Sequence, residues 1–436
     1  MNFLKKIFQE ADILLFYAYI WQIPFAWRLI LVPNRGLQEG VFNEYMDISL
    51  YVGEVLLVLS YIFYKHKNKE KSINIKKIIS LFHVEHPALL AIGIFLLFNI
   101  SYSIDPLLSL VSVIHFLSVL FAIHIFSLYY VSRGTKIFYE IGYILAASIS
   151  FQLLIAVTQL STDQSVGLKW LSESSISIQQ SGIAKSEIFG ETFLRGYGTF
   201  PHPNVFSAYA IFIVIYFLFI SKLFHVKQVY LNAIFLMASL SVIVAQSKLS
   251  IFLILGLIIF NIKNKFHVKL RRNILIASAL IIISIGLVFI GDIQKSLHTR
   301  LDQINLQNQY QEISPFGTGI GTYRLSYDHV ANIEEWWLFE PVHNILYISF
   351  YELGWLGMAI FIFQLGYWIS KVPRGTFSVS IYLPAFVIFV LFTDHYGWDI
   401  YQGQQLLFFS TALFLNLAKI LDNTIYKYHN INISQR

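Results

Sequence analysis

The sequence predicts an all-α polytopic membrane protein, and three observations carry that expectation. Apolar residues make up 56% of the chain and charged residues only 13%, against about a quarter charged in a soluble domain. Mean hydropathy is +0.61. Apolar runs of about the 17–25 residues that cross a hydrocarbon core as a helix recur through most of the 436 residues. Length therefore does not count domains, and residues 1–436 read as a single membrane-embedded domain. There is no cysteine, which excludes disulfides and thiolate metal sites and leaves the redox compartment unmarked.

Twelve runs qualify as spans: about 11–31, 47–64, 87–104, 107–130, 138–158, 204–221, 229–246, 249–263, 274–291, 343–370, 377–393 and 400–420. The first is too long for a leader and has no small-residue cleavage site, so it reads as a span. The eighth is short; it is re-entrant or extends backward through Lys248. Two long loops remain, about 159–203 and 292–342. The second is rich in Gln, Asn and Glu and predicts short helices around 293–311 and 324–338. PFGTGIGTY (315–323) between them reads as a glycine-rich turn.

Basic residues orient these spans. Lys5 and Lys6, the lysines of 65–77, Arg133 and Lys136, Lys222 and Lys227, the cations of 263–272, Lys371 and Arg374, and Lys419, Lys427 and Arg436 all fall on one side of a twelve-span chain. That side is cytoplasmic by the positive-inside rule, with both termini on it. The net charge of +6 is thus an orientation signal whose partner is anionic membrane lipid, and nucleic acid is not implied. Arg28, Arg35, Lys169, Lys185, Arg195, Lys248, Lys295, Arg300 and Arg324 fall on the opposite side, with both long loops. Function usually sits on such loops. The tripeptide Phe-His-Val recurs at 82–84, 224–226 and 266–268, always in a predicted cytoplasmic loop; a solvated interfacial motif accounts for it.

Candidate chemistry gathers on the outer face. In RGYGTFPHPN (195–204), Arg195 offers a planar donor fork suited to phosphate. Gly196 and Gly198 admit a ligand to the backbone, His202 lies between two prolines, and Asn204 is placed to cap span six. A rigid loop-to-helix junction explains the same stretch. Lys248, in Gln246-Ser247-Lys248, either meets an anion or snorkels from the end of a span. Arg300 stands on a predicted loop helix, either as a ligand group or on a solvated face. At the mouth of span ten lie His343 and Asn344, with Glu352 about two and a half turns deeper and Gly354 and Gly357 beyond.

Histidine has the side chain whose unperturbed pKa lies nearest neutrality, and an intramembrane carboxylate is a functional candidate by default. A water-exposed histidine with a glycine packing face is the plainer account. TDHYGWDIYQGQQ (393–405) adds Asp394 and His395 to a short outer turn, where they could orient a sugar or His343; its aromatics suit an interfacial belt.

No metal site is predicted. His202, His329, His343 and His395 are scattered, without i, i+4 pairing or a carboxylate at ligand spacing. There is no phosphate-binding loop, dinucleotide fingerprint or serine elbow, so no cofactor is expected.

The pattern of span ten, His-Asn, nine residues, Gly, two residues, Gly, resembles the signature of the O-antigen ligase and O-antigen polymerase family. That bacterial group also includes O-linking oligosaccharyltransferases. RGYGTFPHPN is similar to the family's Arg-Gly-x-x-x-x-x-x-Pro-Asn stretch, and PFGTGIGTY to its glycine-rich turn. Arg300 stands where the family has an arginine upstream of that turn, and Ser247-Lys248 replaces the family's Ser-Arg. The replacement keeps the charge but loses bidentate geometry.

The resemblance implies about twelve spans and a site at the extracytoplasmic face of a bacterial inner membrane. It also implies transfer of a glycan from undecaprenyl diphosphate to an acceptor glycan, glycolipid or protein. His343 would be the base toward the acceptor hydroxyl. Arg195, Lys248 and Arg300 would hold the diphosphate and stabilise leaving-group charge. No metal or nucleotide is needed, because a lipid diphosphate is already an activated leaving group. Ligase, polymerase and protein O-oligosaccharyltransferase are not separated by the sequence. The reading from another class is a secondary transporter or a flippase for a lipid-linked glycan. Transporters tend to place ionisable groups near the midplane in paired repeats; here the charges gather at one face and no repeat pairs the halves. A noncatalytic assembly scaffold is a third reading.

Overall fold

The computed structural model describes residues 10–32, 37–38, 41–42, 47–68, 87–188, 190–224, 226–262, 290–310, 314–327, 341–370, 386–387, 390, 394–407, 409–410 and 413. They are mainly helical, and four helices among them are long and apolar enough to cross a membrane. The protein is an all-α membrane protein with a few short hairpins. Predicted spans nine and eleven lie almost wholly outside the described residues, as do 328–338 of the second loop helix and the Phe-His-Val copies at 82–84 and 266–268. The chain groups into two compact units, Met1–Ile141 with Phe219–Phe224 and Ile304–Arg436, and Gly142–Leu218 with His225–Gln303.

In the first unit α1 (Ala11–Gln22) runs into a 3-10 turn, Ile23–Phe25. Span one was expected to continue to residue 31; instead Arg28–Val32 is strand β1. Pro24 lacks an amide proton for the helical ladder, and Ala26 then takes a left-handed conformation with φ 42°. β1 pairs antiparallel with β4 (Ile48–Tyr51), so predicted span two also opens as a strand. The hairpin β2 (Leu37–Gln38) and β3 (Val41–Phe42) lies between them. α2 (Val52–Lys67) starts where Glu54 accepts from the Tyr51 amide at 3.1 Å. It packs on α1, with the Ser60 hydroxyl donating to the Asp12 carbonyl at 2.8 Å. α3 is Pro87–Ser101. Asp105 caps α4 (Pro106–Arg133) by accepting from the Leu108 amide at 3.0 Å.

α5 (Lys136–Thr162) enters the second unit, where β5 (Lys185–Ile188) and β6 (Glu191–Leu194) form a hairpin inside the first long loop. α6 (Pro203–Leu223) is buried almost throughout; it is apolar nearly all round, as burial requires, and its buried Ser207 hydroxyl pairs with Ser250 at 2.8 Å. α7 is Gln228–Val244, and α8 (Lys248–Ile262) opens on Lys248 itself. α9 (Ile290–Tyr310) matches the first predicted loop helix; of the second, Tyr323–Tyr327 is a 3-10 turn. α10 (Ile345–Ser370) follows, then α11 (Tyr396–Asp399) and a helix over 401–407.

α10 is not continuous. Gly354 sits at φ 68° and ψ 179°, a region essentially restricted to glycine. The break leaves the carbonyls of Tyr351 and Glu352 without helical donors, and the glycine turn supplies them. Thr318 donates to Tyr351 at 3.0 Å and Gly319 to Glu352 at 3.1 Å, while the Leu356 amide beyond the break donates to the Pro315 carbonyl at 3.2 Å. Broken backbone inside a membrane helix needs such internal partners. Gly354 was expected to serve helix packing; it instead admits the 314–319 backbone.

Candidate functional site

The first unit assembles the His343 end. The chain reaches α10 through Val342–Asn344, and the Asn344 side chain caps the helix by accepting from the Tyr347 amide at 3.1 Å. His343 is half-buried just before this cap. Its ring meets that of His395 edge-on, with centroids 5.2 Å apart and planes at 80°. His395 is buried at the start of α11, and its Nδ1 lies 2.9 Å from both oxygens of Asp399. The His395 amide donates to Asp394 at 2.8 Å, and its Nε2 lies 3.7 Å from the same carboxylate. Burial pushes the Tyr396 phenol well above its usual range, and the Asp394 carboxylate adds to the effect. Tyr396 is therefore a neutral hydroxyl beside the cluster.

Histidines that are scattered in the sequence thus meet in space. Of the four histidines scattered in the sequence, the structure brings together His343 and His395, and it sets carboxylates beside them that sequence spacing did not show; His202 belongs to the other unit and His329 lies outside the described residues. His395 and Asp399 are an i, i+4 pair, and ligand atoms of His343, Asp394 and His395 all lie within 4.8 Å of one another. The sequence hides this because His343 and His395 lie 52 positions apart in the chain.

Glu352 is buried, and its carboxylate accepts from the Tyr323 amide at 3.0 Å and from the Trp398 indole at 2.6 Å. It ties the glycine turn, α10 and α11 into one body. It also lines a small cleft whose wall carries Asp47, His115, Arg324, Trp398 and Asp399. Asp399 therefore touches both the cleft and the back of His395. Asp47, His115 and Arg324 are absent from the sequence-based candidates. So is Asn99, a buried amide in an otherwise apolar helix that holds the glycine turn through the Ile320 amide and the Phe316 and Glu352 carbonyls. An amide side chain in so apolar a run is the signal that would have found it.

The second unit assembles Arg195. Its Nε donates to the Ala245 carbonyl at 2.9 Å and its guanidinium to the Asn204 side chain at 2.8 Å. Asn204 was expected as the cap of span six; α6 begins one residue earlier, and the Asn204 side chain orients the arginine. His202 Nδ1 accepts from the Asn204 amide at 3.1 Å, which puts the ring proton on Nε2. Gly196 donates to the Val244 carbonyl at 2.9 Å. The Arg195 loop is therefore bonded to the turn that leads into Lys248. Two glutamines of α5 pin the rest of it: Gln159 accepts from Tyr197 and Gly198 at 3.0 and 2.9 Å, and Gln152 accepts from Thr199 at 2.8 Å. Arg300 is half-buried on α9, and its Nε makes no hydrogen bond among the described residues.

The structure thus brings His343, Asp394 and His395 together in one unit and Arg195, His202, Asn204 and the Lys248 turn together in the other. No protein-family model matches the chain, and no curated protein or solved structure matches it.

Proposed function

We propose that the protein is a membrane glycosyltransferase that moves a glycan from undecaprenyl diphosphate to an acceptor hydroxyl at the extracytoplasmic face of a bacterial inner membrane. This includes the finer topology of about twelve spans with cytoplasmic termini. The observation that carries the reading is the placement of His343. It is a half-buried imidazole at a helix mouth, set against a second imidazole whose far nitrogen is held by a carboxylate. An imidazole so placed is suited to general-base work near neutral pH.

In this reading a nitrogen of His343 takes the acceptor proton as the hydroxyl oxygen bonds to the anomeric carbon. The bond from that carbon to the diphosphate oxygen breaks, its electron pair leaves with the lipid diphosphate, and the anomeric configuration inverts. Arg195, Lys248 and Arg300 neutralise the leaving charge. The Asn204 bond to Arg195 fixes how that guanidinium is presented. The cleft bounded by Asp399 and Trp398 joins carboxylates to an aromatic wall, a combination suited to the polar edges and apolar faces of a sugar. The partners are the lipid-linked glycan, an acceptor glycan, glycolipid or protein, and membrane lipid, with no nucleic acid. The activated donor makes a metal or other cofactor unnecessary.

The test is transfer by purified protein supplied with lipid-linked glycan and candidate acceptors. His343→Ala should fold and lose transfer by about two orders of magnitude or more, the scale of general-base catalysis; wild-type turnover in that variant sinks the assignment. Arg195→Ala and Arg300→Ala should weaken use of the donor, and unchanged donor affinity and turnover in both would refute the cation clamp. Glycan analysis of a deletion strain separates the members of the class, through loss of long chains, of attachment, or of glycoprotein.

One observation favours a second reading, a flippase or secondary transporter. A broken helix with a buried carboxylate is a transporter feature, and α10 has both at Gly354 and Glu352. Against it, the carbonyls freed by the break are occupied by the glycine turn. Movement of labelled lipid-linked glycan across proteoliposomes without any acceptor would favour it.

A further inference from the structure

We propose that His343, Asp394 and His395 form a three-ligand site for a zinc-class divalent cation, and that occupation of this site switches off the chemistry of His343. The second clause rests on the glycosyltransferase reading; the first does not.

The geometry is that of a histidine site with its outer support in place. Asp399 holds His395 Nδ1 at 2.9 Å, so the ring proton sits on Nδ1 and the lone pair is on Nε2. A carboxylate behind the distal nitrogen is what orients metal-ligating histidines in general. Nε2 lies 3.7 Å from Asp394 Oδ1, and the His343 ligand atom completes a group within 4.8 Å. Zinc bonds of about 2.0–2.1 Å set tetrahedral ligand atoms roughly 3.3 Å apart. The gaps between ligand atoms would therefore close by at most about 1.5 Å. His343 precedes α10 and is half-buried, so it is the ligand that can move.

Two imidazoles and one carboxylate favour zinc, cobalt or nickel over magnesium or calcium, which prefer oxygen cages. Three protein ligands leave the fourth position open. A cation here takes the same nitrogen lone pair that would accept the acceptor proton. Nanomolar or micromolar zinc should therefore inhibit, and a chelator should restore activity.

The experiment uses the full chain in detergent, purified without a polyhistidine tag. Zinc binding is followed by calorimetry, and cobalt binding by its visible spectrum; with no cysteine in the chain, that spectrum reports nitrogen and oxygen ligands alone. One cation per chain is expected, with affinity at least tenfold weaker in His343→Gln, His395→Gln and Asp394→Asn and 10–100-fold weaker in Asp399→Asn. His343→Gln alters a half-buried position, so it keeps the test open should the buried variants misfold, which thermal melting would reveal. No stoichiometric binding, or binding unaltered in folded His343→Gln, overturns the site. Stoichiometric binding that leaves transfer unaffected overturns the switch. Binding by a protein that transfers no glycan with or without chelator upholds the site and refutes the glycosyltransferase reading instead.

Discussion

Asn99 shows how much one buried amide can organise. Its side chain gives hydrogen bonds to the carbonyls of Phe316 and Glu352 and takes one from the amide of Ile320. Replacing it with alanine strands the Phe316 carbonyl and the Ile320 amide, each worth about 1–3 kcal/mol when orphaned, whereas the Glu352 carbonyl keeps its bond from Gly319. Asn99→Ala should lose on the order of 2–4 kcal/mol, read as a drop of several degrees in melting temperature, whereas Ser101→Ala on the exposed face of α3 should change little. The same scale explains what the sequence hides about the candidate site. His343, Asp394 and His395 are recognisable as polar residues in apolar surroundings. That Asp399 orients His395 depends on the four-residue helix α11, which is too short for any periodicity to announce. Asn204 could be seen as a helix cap; only the approach of Arg195 reassigns its side chain.

At the scale of elements, the break in α10 is the decisive feature. Gly354 has a conformation other residues avoid, and a Cβ there would run into the backbone of Ser314, Pro315 and Gly317. A Cβ at Gly357 would instead meet the Phe95 ring and a Leu353 side-chain atom. Gly354→Ala should therefore cost about 1–3 kcal/mol in strain alone, with the collision in addition, and Gly357→Ala less. Gly93, where a Cβ meets nothing within 4 Å, is the control expected to be neutral. Folded yield and melting temperature of the three variants check the order; equal losses at 354 and 357 would contradict the account. Hydropathy cannot show this break, because both halves of α10 are apolar. The early end of α1 was more legible, since Pro24 stands in the sequence at the point where the helical ladder fails.

For the molecule as a whole, the absence of cysteine makes topology directly measurable. Single cysteines introduced at Lys71 and at Lys185 should label with a membrane-impermeant thiol reagent from opposite sides, the first only after the membrane is opened and the second in intact cells. Labelling of both from one side would overturn the proposed orientation. The glycosyltransferase reading adds its own whole-molecule expectation, that transfer survives a metal chelator. What the sequence by itself determined is the solvent the protein lives in and most helix positions among the described residues, because apolar run length and charge content answer to the bilayer. What only the tertiary structure decided is which residues work together. The meeting of His343 with His395 and Asp394 and the capture of the glycine turn by the broken α10 are contacts between segments far apart in the chain, and the anchoring of Arg195 by Asn204, nine residues on, depends on how the loop between them folds. Side-chain hydrogen bonds and close backbone approach are set by packing, and no local pattern of residues encodes them.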